Sequence, residues 1–189
     1  MDHVYHFTTH YHLPWILNSG ALLPGKDRTA RFPHDDFLWA TTNPKGERTA
    51  TMVANDYAYR SGVCHHVRFT LSVDDFFPWA DVRIHHPEWS PQTIQILNQA
   101  AARPGDPANW YCRATPLPMD KVIAIDHRSY FNNVWRPIES REAIVGVLED
   151  EILCGMAFDG KDWFSRRMIH PETNAYGYEP VDVVIGAEV

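Results

Sequence analysis

The first 25 residues change their hydrophobic periodicity within a few positions. Residues 4–8, VYHFT, form a short aromatic and β-branched run, which predicts a strand. Pro14 then suits a first helical turn, apolar residues follow at helical spacing, and Gly20 suits a helix C-cap. A strand, a tight connection and a short helix therefore open the chain, which restricts the fold to classes that mix both elements.

The rest of the chain continues this mixture of short elements. The patterns predict strands at 37–42, 63–72, 110–114, 122–126 and 181–185, and helices at 46–60, 90–102 and 140–153. Residues 74–88 are rich in Pro, Trp and His and predict a loop. Because helices and strands do not alternate regularly, we expect an α+β domain. The sequence also lacks the glycine motifs of Rossmann and P-loop proteins.

Length and composition limit the remaining possibilities. With 189 residues the chain is near the size at which one domain is the default. We expect residues 1–136 to form that domain and residues 137–189 a C-terminal helical extension packed on it. The net charge of −7 is unfavourable for gripping a long phosphate backbone. Three widely spaced cysteines, an odd number, indicate a reducing compartment, so we expect a cytoplasmic protein without a membrane segment.

Histidine and cysteine are the first candidates for chemistry in this sequence. Eleven histidines occur without an H-x-x-x-H or C-x-x-C spacing, so no metal site is expected. Cys64 precedes His65 on a predicted strand, where neighbouring side chains face apart. A Cys–His nucleophile pair is therefore disfavoured.

Three stretches carry a resemblance to a known fold. They are Tyr5-His6-Phe7-Thr8, the run LNSGALLP at 17–24, and FLWATTNP at 37–44. Together they resemble the N-terminal half of the ADP-ribosyltransferase fold, most closely the branch of DarT-type toxins and related small bacterial proteins. The segment W-Y-x-R-A at 110–114 is similar to a closing strand of that group, so the resemblance covers about residues 1–126. It implies an ADP-ribosyltransferase-like split antiparallel β-sheet core with short helices, and NAD as substrate.

The resemblance also implies roles for particular residues. His6 and Thr8 would hold NAD, with His6 on the nicotinamide-side ribose, the nearby backbone on the carboxamide and Trp39 stacked on the nicotinamide ring. Trp39 would offer an apolar surface and His6 a hydrogen-bonding imidazole. Together they would suit cleavage of an N-glycosidic bond. The candidate catalytic residues are His6, Trp39 and Glu88. The candidate NAD-binding residues are His6, Phe7, Thr8, Trp39, Thr41, Tyr57, Arg68 and Trp110, with Arg113 as a further lining residue.

Two features of the family are missing. Residues 109–113 hold no carboxylate where most such transferases have a Glu, and Thr42 stands near the position of an expected Arg. Glu88 or Glu47 is the candidate replacement for the missing carboxylate.

The expected function is a toxin-like transfer of ADP-ribose from NAD to a macromolecular acceptor, either protein or nucleic acid. A partner antitoxin or immunity protein would fit a toxin. Two alternatives stay open: an RNA 2'-phosphotransferase-like enzyme, with Arg68 on a phosphate, and a non-catalytic binding module of the same fold.

Overall fold

The computed structural model describes residues 3–9, 12–13, 16, 19–25, 33, 36–47, 65–100 and 105–138, together with four short strands after residue 155. Contacts divide the chain into two compact units. The first comprises Met1–Phe7, Ala21–Val53 and Arg68–Ala124, and the second comprises Thr8–Gly20, Ala54–Val67 and Ile125–Val189. The expected boundary at residue 136 stays a prediction.

The described elements are short strands and a few short helices, which confirms the α+β class. The strands are β1 (His3–Thr9), β2 (Ala21–Leu22), β3 (Leu38–Thr41), β4 (His66–Ser72), β5 (Phe77–Pro78), β6 (Trp110–Arg113), β7 (Leu117–Pro118), β8 (Ala124–Arg128), β9 (Arg136–Pro137), β10 (Met156–Phe158), β11 (Trp163–Ser165), β12 (Met168–Ile169) and β13 (Tyr176–Gly177). The helices are α1 (Val82–His85) and α2 (Pro91–Ala100). Single 3-10 turns occupy Val73–Asp75, Trp79–Asp81, Pro107–Asn109 and Met119–Lys121.

Antiparallel pairing organises the first unit. Its neighbouring strands run in the order β5-β6-β3-β1-β4, and β2 pairs separately with β7. On β3, Trp39 lies opposite Cys112, and on β1, Tyr5 lies opposite Thr41. Because β1 has a strand on each side, its backbone is held on both edges.

Apolar side chains cover both faces of this sheet. One face carries an aromatic cluster, and the alternation along β3 puts Leu38 and Ala40 on the other face with Val4. The aromatic cluster consists of Phe37, Trp79, Val82, Trp89, Trp110 and Cys112, all buried, with Trp39, Phe77, Ile94 and Leu97 packed against it. Removing these large rings from water is the main stabilising term of the unit.

The second unit is described in smaller pieces. Ile16 N donates to His12 O at 3.0 Å, which is one helical turn, and Gly20 has φ +70, as a C-cap glycine requires. β8 and β9 form an antiparallel hairpin in which Asp126 faces Pro137. The short antiparallel pairs β10-β11 and β12-β13 complete its regular structure as far as the described residues go.

Several predicted elements need correction. The segment 74–88 is not a loop, because it contains most of one 3-10 turn, a second complete 3-10 turn, β5 and α1. The strand predicted at 122–126 lies two residues later, since the preceding 3-10 turn extends to Lys121. Of the helix predicted at 46–60 the structure describes only residues 46 and 47, which are not helical. The helix at 140–153 and the strand at 181–185 lie outside the described residues.

Candidate functional site

His6 lies on β1 between β3 and β4, and its ring is held by a backbone group. Its Nδ1 is 2.8 Å from the carbonyl oxygen of Trp39. Because a carbonyl can only accept, Nδ1 carries the proton and Nε2 keeps a lone pair. Burial lowers the pKa of His6 below its ordinary value, and the bond to Trp39 O offsets this only in part. The imidazole is therefore neutral at pH 7 and can accept one hydrogen bond through Nε2.

The ring of Trp39 does not share a face with the ring of His6. Since Tyr5 pairs with Thr41 in an antiparallel register, His6 falls opposite Ala40, and the side chain of Trp39 leaves the other face. The indole Nε1 donates to Asp36 Oδ1 at 2.7 Å, and the ring centroid lies 5.1 Å from that of Trp79. The structure thus brings His6 to the carbonyl of Trp39 and places the indole in the aromatic cluster.

Glu47 forms a buried hub that accepts hydrogen bonds from four of the described residues. Its Oε1 accepts from Thr41 Oγ1 at 3.2 Å and from Asn109 Nδ2 at 2.9 Å. Its Oε2 accepts from the backbone N of Asp106 at 3.1 Å and from Trp110 Nε1 at 2.6 Å. Two donors on each carboxylate oxygen use its usual accepting capacity. A carboxylate therefore does reach the start of β6, from another part of the chain.

Three of the predicted NAD-binding residues are packed around Glu47 and its neighbour Gly46. Thr41 is fully buried and Trp110 is 2% exposed, and both donate to Glu47. Phe7 is buried against Gly46, where an added Cβ would lie 3.4 Å from the Phe7 ring. The polar atoms of Thr41 and Trp110 that could meet a ligand are thus already used inside the fold.

Two arginines donate hydrogen bonds to backbone carbonyl groups elsewhere in the chain. Arg68 Nη1 donates to Pro44 O at 2.8 Å, and its guanidinium lies 5.3 Å from the centroid of the Tyr5 ring. Arg113 Nη1 donates to Asp75 O at 2.8 Å. Both guanidinium groups therefore have structural contacts that a phosphate would need to replace or share.

Glu88 occupies the connection between α1 and α2. It is exposed, and its Oε1 lies 3.2 Å from His86 Nδ1. Its neighbour Trp89 is buried and stacks on Phe37, which fixes the backbone beside Glu88. Tyr57, the remaining candidate, lies outside the described residues.

A second histidine contact, which the sequence analysis missed, lies in the second unit. His12 Nδ1 is 3.1 Å from Thr8 Oγ1 and 3.1 Å from Thr9 Oγ1. The T-T-x-x-H spacing at residues 8–12 is a local signal that could have found it. Thr8 therefore has a histidine partner at the point where β1 ends.

Cys112 is a potentially reactive side chain that is buried in the sheet. It lies in the aromatic cluster, and burial, with the charge of Asp36 as a smaller cause, raises the pKa of its thiol well above the ordinary value. A thiol that stays protonated is a poor nucleophile.

Within the described ranges, no three His, Cys, Asp or Glu side chains converge as a metal site would require. No helix in that part of the chain is both long and apolar enough to cross a membrane. Comparisons with protein-family models, curated proteins and solved structures gave no significant match.

Proposed function

We propose that this chain binds NAD and transfers its ADP-ribose group to a macromolecular acceptor. The observation that carries the proposal is the fixed neutral tautomer of His6 on β1, within the Y-H-F-T motif. The short strands around it, mostly antiparallel where their pairing is described, are compatible with the split sheet that the resemblance implies. The ADP-ribosyltransferase-like core and a cytoplasmic location are parts of the same proposal.

The proposed chemistry uses the lone pair on His6 Nε2. In the reaction the bond between ribose C1' and the nicotinamide nitrogen breaks, its electron pair leaves with neutral nicotinamide, and the acceptor forms a new bond to C1' and loses a proton. Positive charge builds on the ribose in the transition state, so holding the ribose in place lowers the barrier. A neutral imidazole that accepts from a ribose hydroxyl can do this without adding positive charge.

The acceptor must also lose a proton, which a carboxylate or water can take. The oxygens of Glu47 already accept four hydrogen bonds, so Glu47 is poorly placed to take a proton. Glu88 is exposed, but Trp89 beside it stacks on Phe37 in the aromatic cluster, on the face of the sheet opposite His6, so Glu88 is poorly placed as well. Within the proposal the proton of the acceptor therefore passes to water.

Calorimetric titration of NAD into the full chain tests the proposal, with nicotinamide release followed in the same samples. The wild type should bind and release nicotinamide, and His6→Ala should weaken binding by roughly tenfold or more, the loss expected for one hydrogen bond and its packing. His85→Ala, a change at an exposed histidine on α1, is the matched control and should bind like the wild type. Absence of NAD binding by the wild type would refute the proposal.

The alternatives give different outcomes in the same experiment. Binding without nicotinamide release or transfer would indicate a non-catalytic module. Loss of 2'-phosphate from a phosphorylated RNA, without NAD binding, would indicate a phosphotransferase. The contact of Arg68 with Pro44 O makes that second outcome less favourable. A toxin-like activity would further appear as growth arrest on expression that His6→Ala relieves, and an antitoxin or immunity protein would be its natural partner.

A further inference from the structure

The turn that joins β8 to β9 exposes a group of apolar side chains. Phe131 is 75% exposed, Val134 is 59% exposed and Tyr130 is 44% exposed. Single exposed apolar residues are common on protein surfaces, but three within five positions of one turn form a concentrated patch. We name Tyr130, Phe131, Val134 and Arg136 the hairpin tip.

The backbone of this turn is fixed by its own hydrogen bonds. Asn132 N donates to Ser129 Oγ at 3.2 Å, and Asn133 N donates to Ser129 O at 2.9 Å. Asn133 has φ +45, a conformation that asparagine tolerates better than most residues. Because the turn is ordered before any partner arrives, docking on it costs less conformational entropy.

The hairpin tip is also positive on a negative chain. Residues 127–138, HRSYFNNVWRPI, contain two arginines and no Asp or Glu, whereas the whole chain has 24 acidic and 17 basic residues. Arg136 is exposed, and Arg128 lies 4.5 Å over the ring of Trp135. Among the described residues, Arg136 makes no salt bridge. A partner carboxylate could therefore pair with Arg136 without displacing an internal one.

From these observations we propose that the hairpin tip is the docking surface for a protein partner that presents apolar side chains beside carboxylates. Aromatic residues and arginine dominate the binding energy of protein interfaces, and aliphatic Val134 extends the apolar contact. Two arginines on a chain of net charge −7 are too few to grip a phosphate backbone. Pro137 on β9 lacks a backbone N–H, so recognition by side chains is favoured over addition of a strand.

Fluorescence anisotropy with the full chain and short labelled peptides tests this inference. The probe peptide alternates Glu with Leu and Phe, one control replaces each Glu by Lys, and a second replaces each apolar residue by Ser. The wild type should bind the probe roughly tenfold more tightly than either control. Equal binding of all three peptides would overturn the inference.

Variants assign the binding to the hairpin tip. Phe131→Ser combined with Val134→Ser should weaken binding of the probe roughly tenfold, while Ile84→Ser, at a residue 76% exposed on α1, should leave it unchanged. Arg136→Glu should reverse the preference in favour of the Lys peptide, which a merely structural role would not do. Circular dichroism checks that each variant folds.

Two outcomes would point to a different occupant and overturn the inference. Tighter binding of a single-stranded oligothymidine that the Phe131→Ser, Val134→Ser variant loses would indicate a nucleic-acid surface. A dimer in sedimentation experiments that the same variant dissociates would indicate a second copy of this chain. The inference does not depend on NAD chemistry, so its failure would leave the proposed function untouched.

Discussion

Replacing Glu47 tests the buried hub at the start of β6. The side chain is 7% exposed, and it accepts hydrogen bonds from Thr41, Asn109, Trp110 and the backbone of Asp106. These donors lie 6 to 63 positions away along the sequence, so one carboxylate joins β3 to β6 and to the turn before it. We expect Glu47→Ala to be among the most destabilising single changes in the chain.

The magnitude follows from the donors that are left behind. Each buried donor that loses its acceptor costs about 1–3 kcal/mol, and the donors of Thr41 and Trp110 are too buried to find water. Together with the smaller losses at Asn109 and Asp106, Glu47→Ala should lower the free energy of unfolding by about 3–5 kcal/mol. Glu47→Gln keeps the volume and one oxygen but turns an amide NH₂ toward two donors, and should cost about 2 kcal/mol.

Urea denaturation of the wild type and both variants measures these values. Asp120→Ala, at an exposed carboxylate, is the control and should stay within about 0.5 kcal/mol of the wild type. A double-mutant cycle of Glu47→Gln with Trp110→Phe should give a coupling energy of about 1 kcal/mol or more, because the Nε1 to Oε2 contact is 2.6 Å. A loss below about 1 kcal/mol for Glu47→Ala at unchanged m-value would refute the hub.

Three further predictions concern single positions. The pKa of His6 is lowered in the fold, so the unfolded chain binds the proton more readily and stability falls as the pH drops below the ordinary value of 6.5. The melting temperature of the wild type should therefore fall more than that of His6→Asn between about pH 7.5 and about pH 5.5. Gly20→Ala should cost about 1–2 kcal/mol in chemical denaturation, and Gly20→Asn less, because φ is +70 and no atom within 4 Å would obstruct a Cβ. Cys112 should resist iodoacetamide in the folded chain and react after denaturation, as peptide mass spectrometry would show, since its thiol is buried and its pKa is raised.

Local signals in the sequence were sufficient for the longer strands of the described residues. The ends of β1, β3, β4 and β6 lie within about three residues of the ends of the predicted runs, because β-branched and aromatic residues favour extended backbone. The helix at 90–102 is observed as Pro91–Ala100, where Ser90 Oγ accepts from Thr93 N at 3.0 Å as an N-cap does. α1 was missed because four residues, of which only Val82 is buried, carry too little periodicity to indicate a helix.

The contacts that define the candidate site depend on pairings far apart in sequence. The carboxylate of Glu47 meets residues at a separation of 59 to 63 positions, and no local pattern marks which carboxylate will be buried. The position of the Trp39 ring depends on the register between β1 and β3, since a shift of one residue would move it to the face of His6. Sequence patterns predict the strand that carries His6, but the register between β1 and β3 determines which groups lie next to the histidine.

The hydrogen bond from His6 to the backbone of Trp39 allows the roles of the two side chains to be tested separately. The acceptor is a backbone carbonyl, so the tautomer of His6 is set by the pairing of β1 with β3 and survives any side-chain change at position 39 that keeps this pairing. Changes at His6 therefore test the lone pair on Nε2, whereas Trp39→Phe tests the indole and its 2.7 Å bond to Asp36. If changes at His6 reduce NAD affinity and Trp39→Phe reduces only stability, the two side chains act on opposite faces of one sheet. A parallel loss of NAD affinity in Trp39→Phe would instead show that the indole reaches the ligand, which this register does not allow.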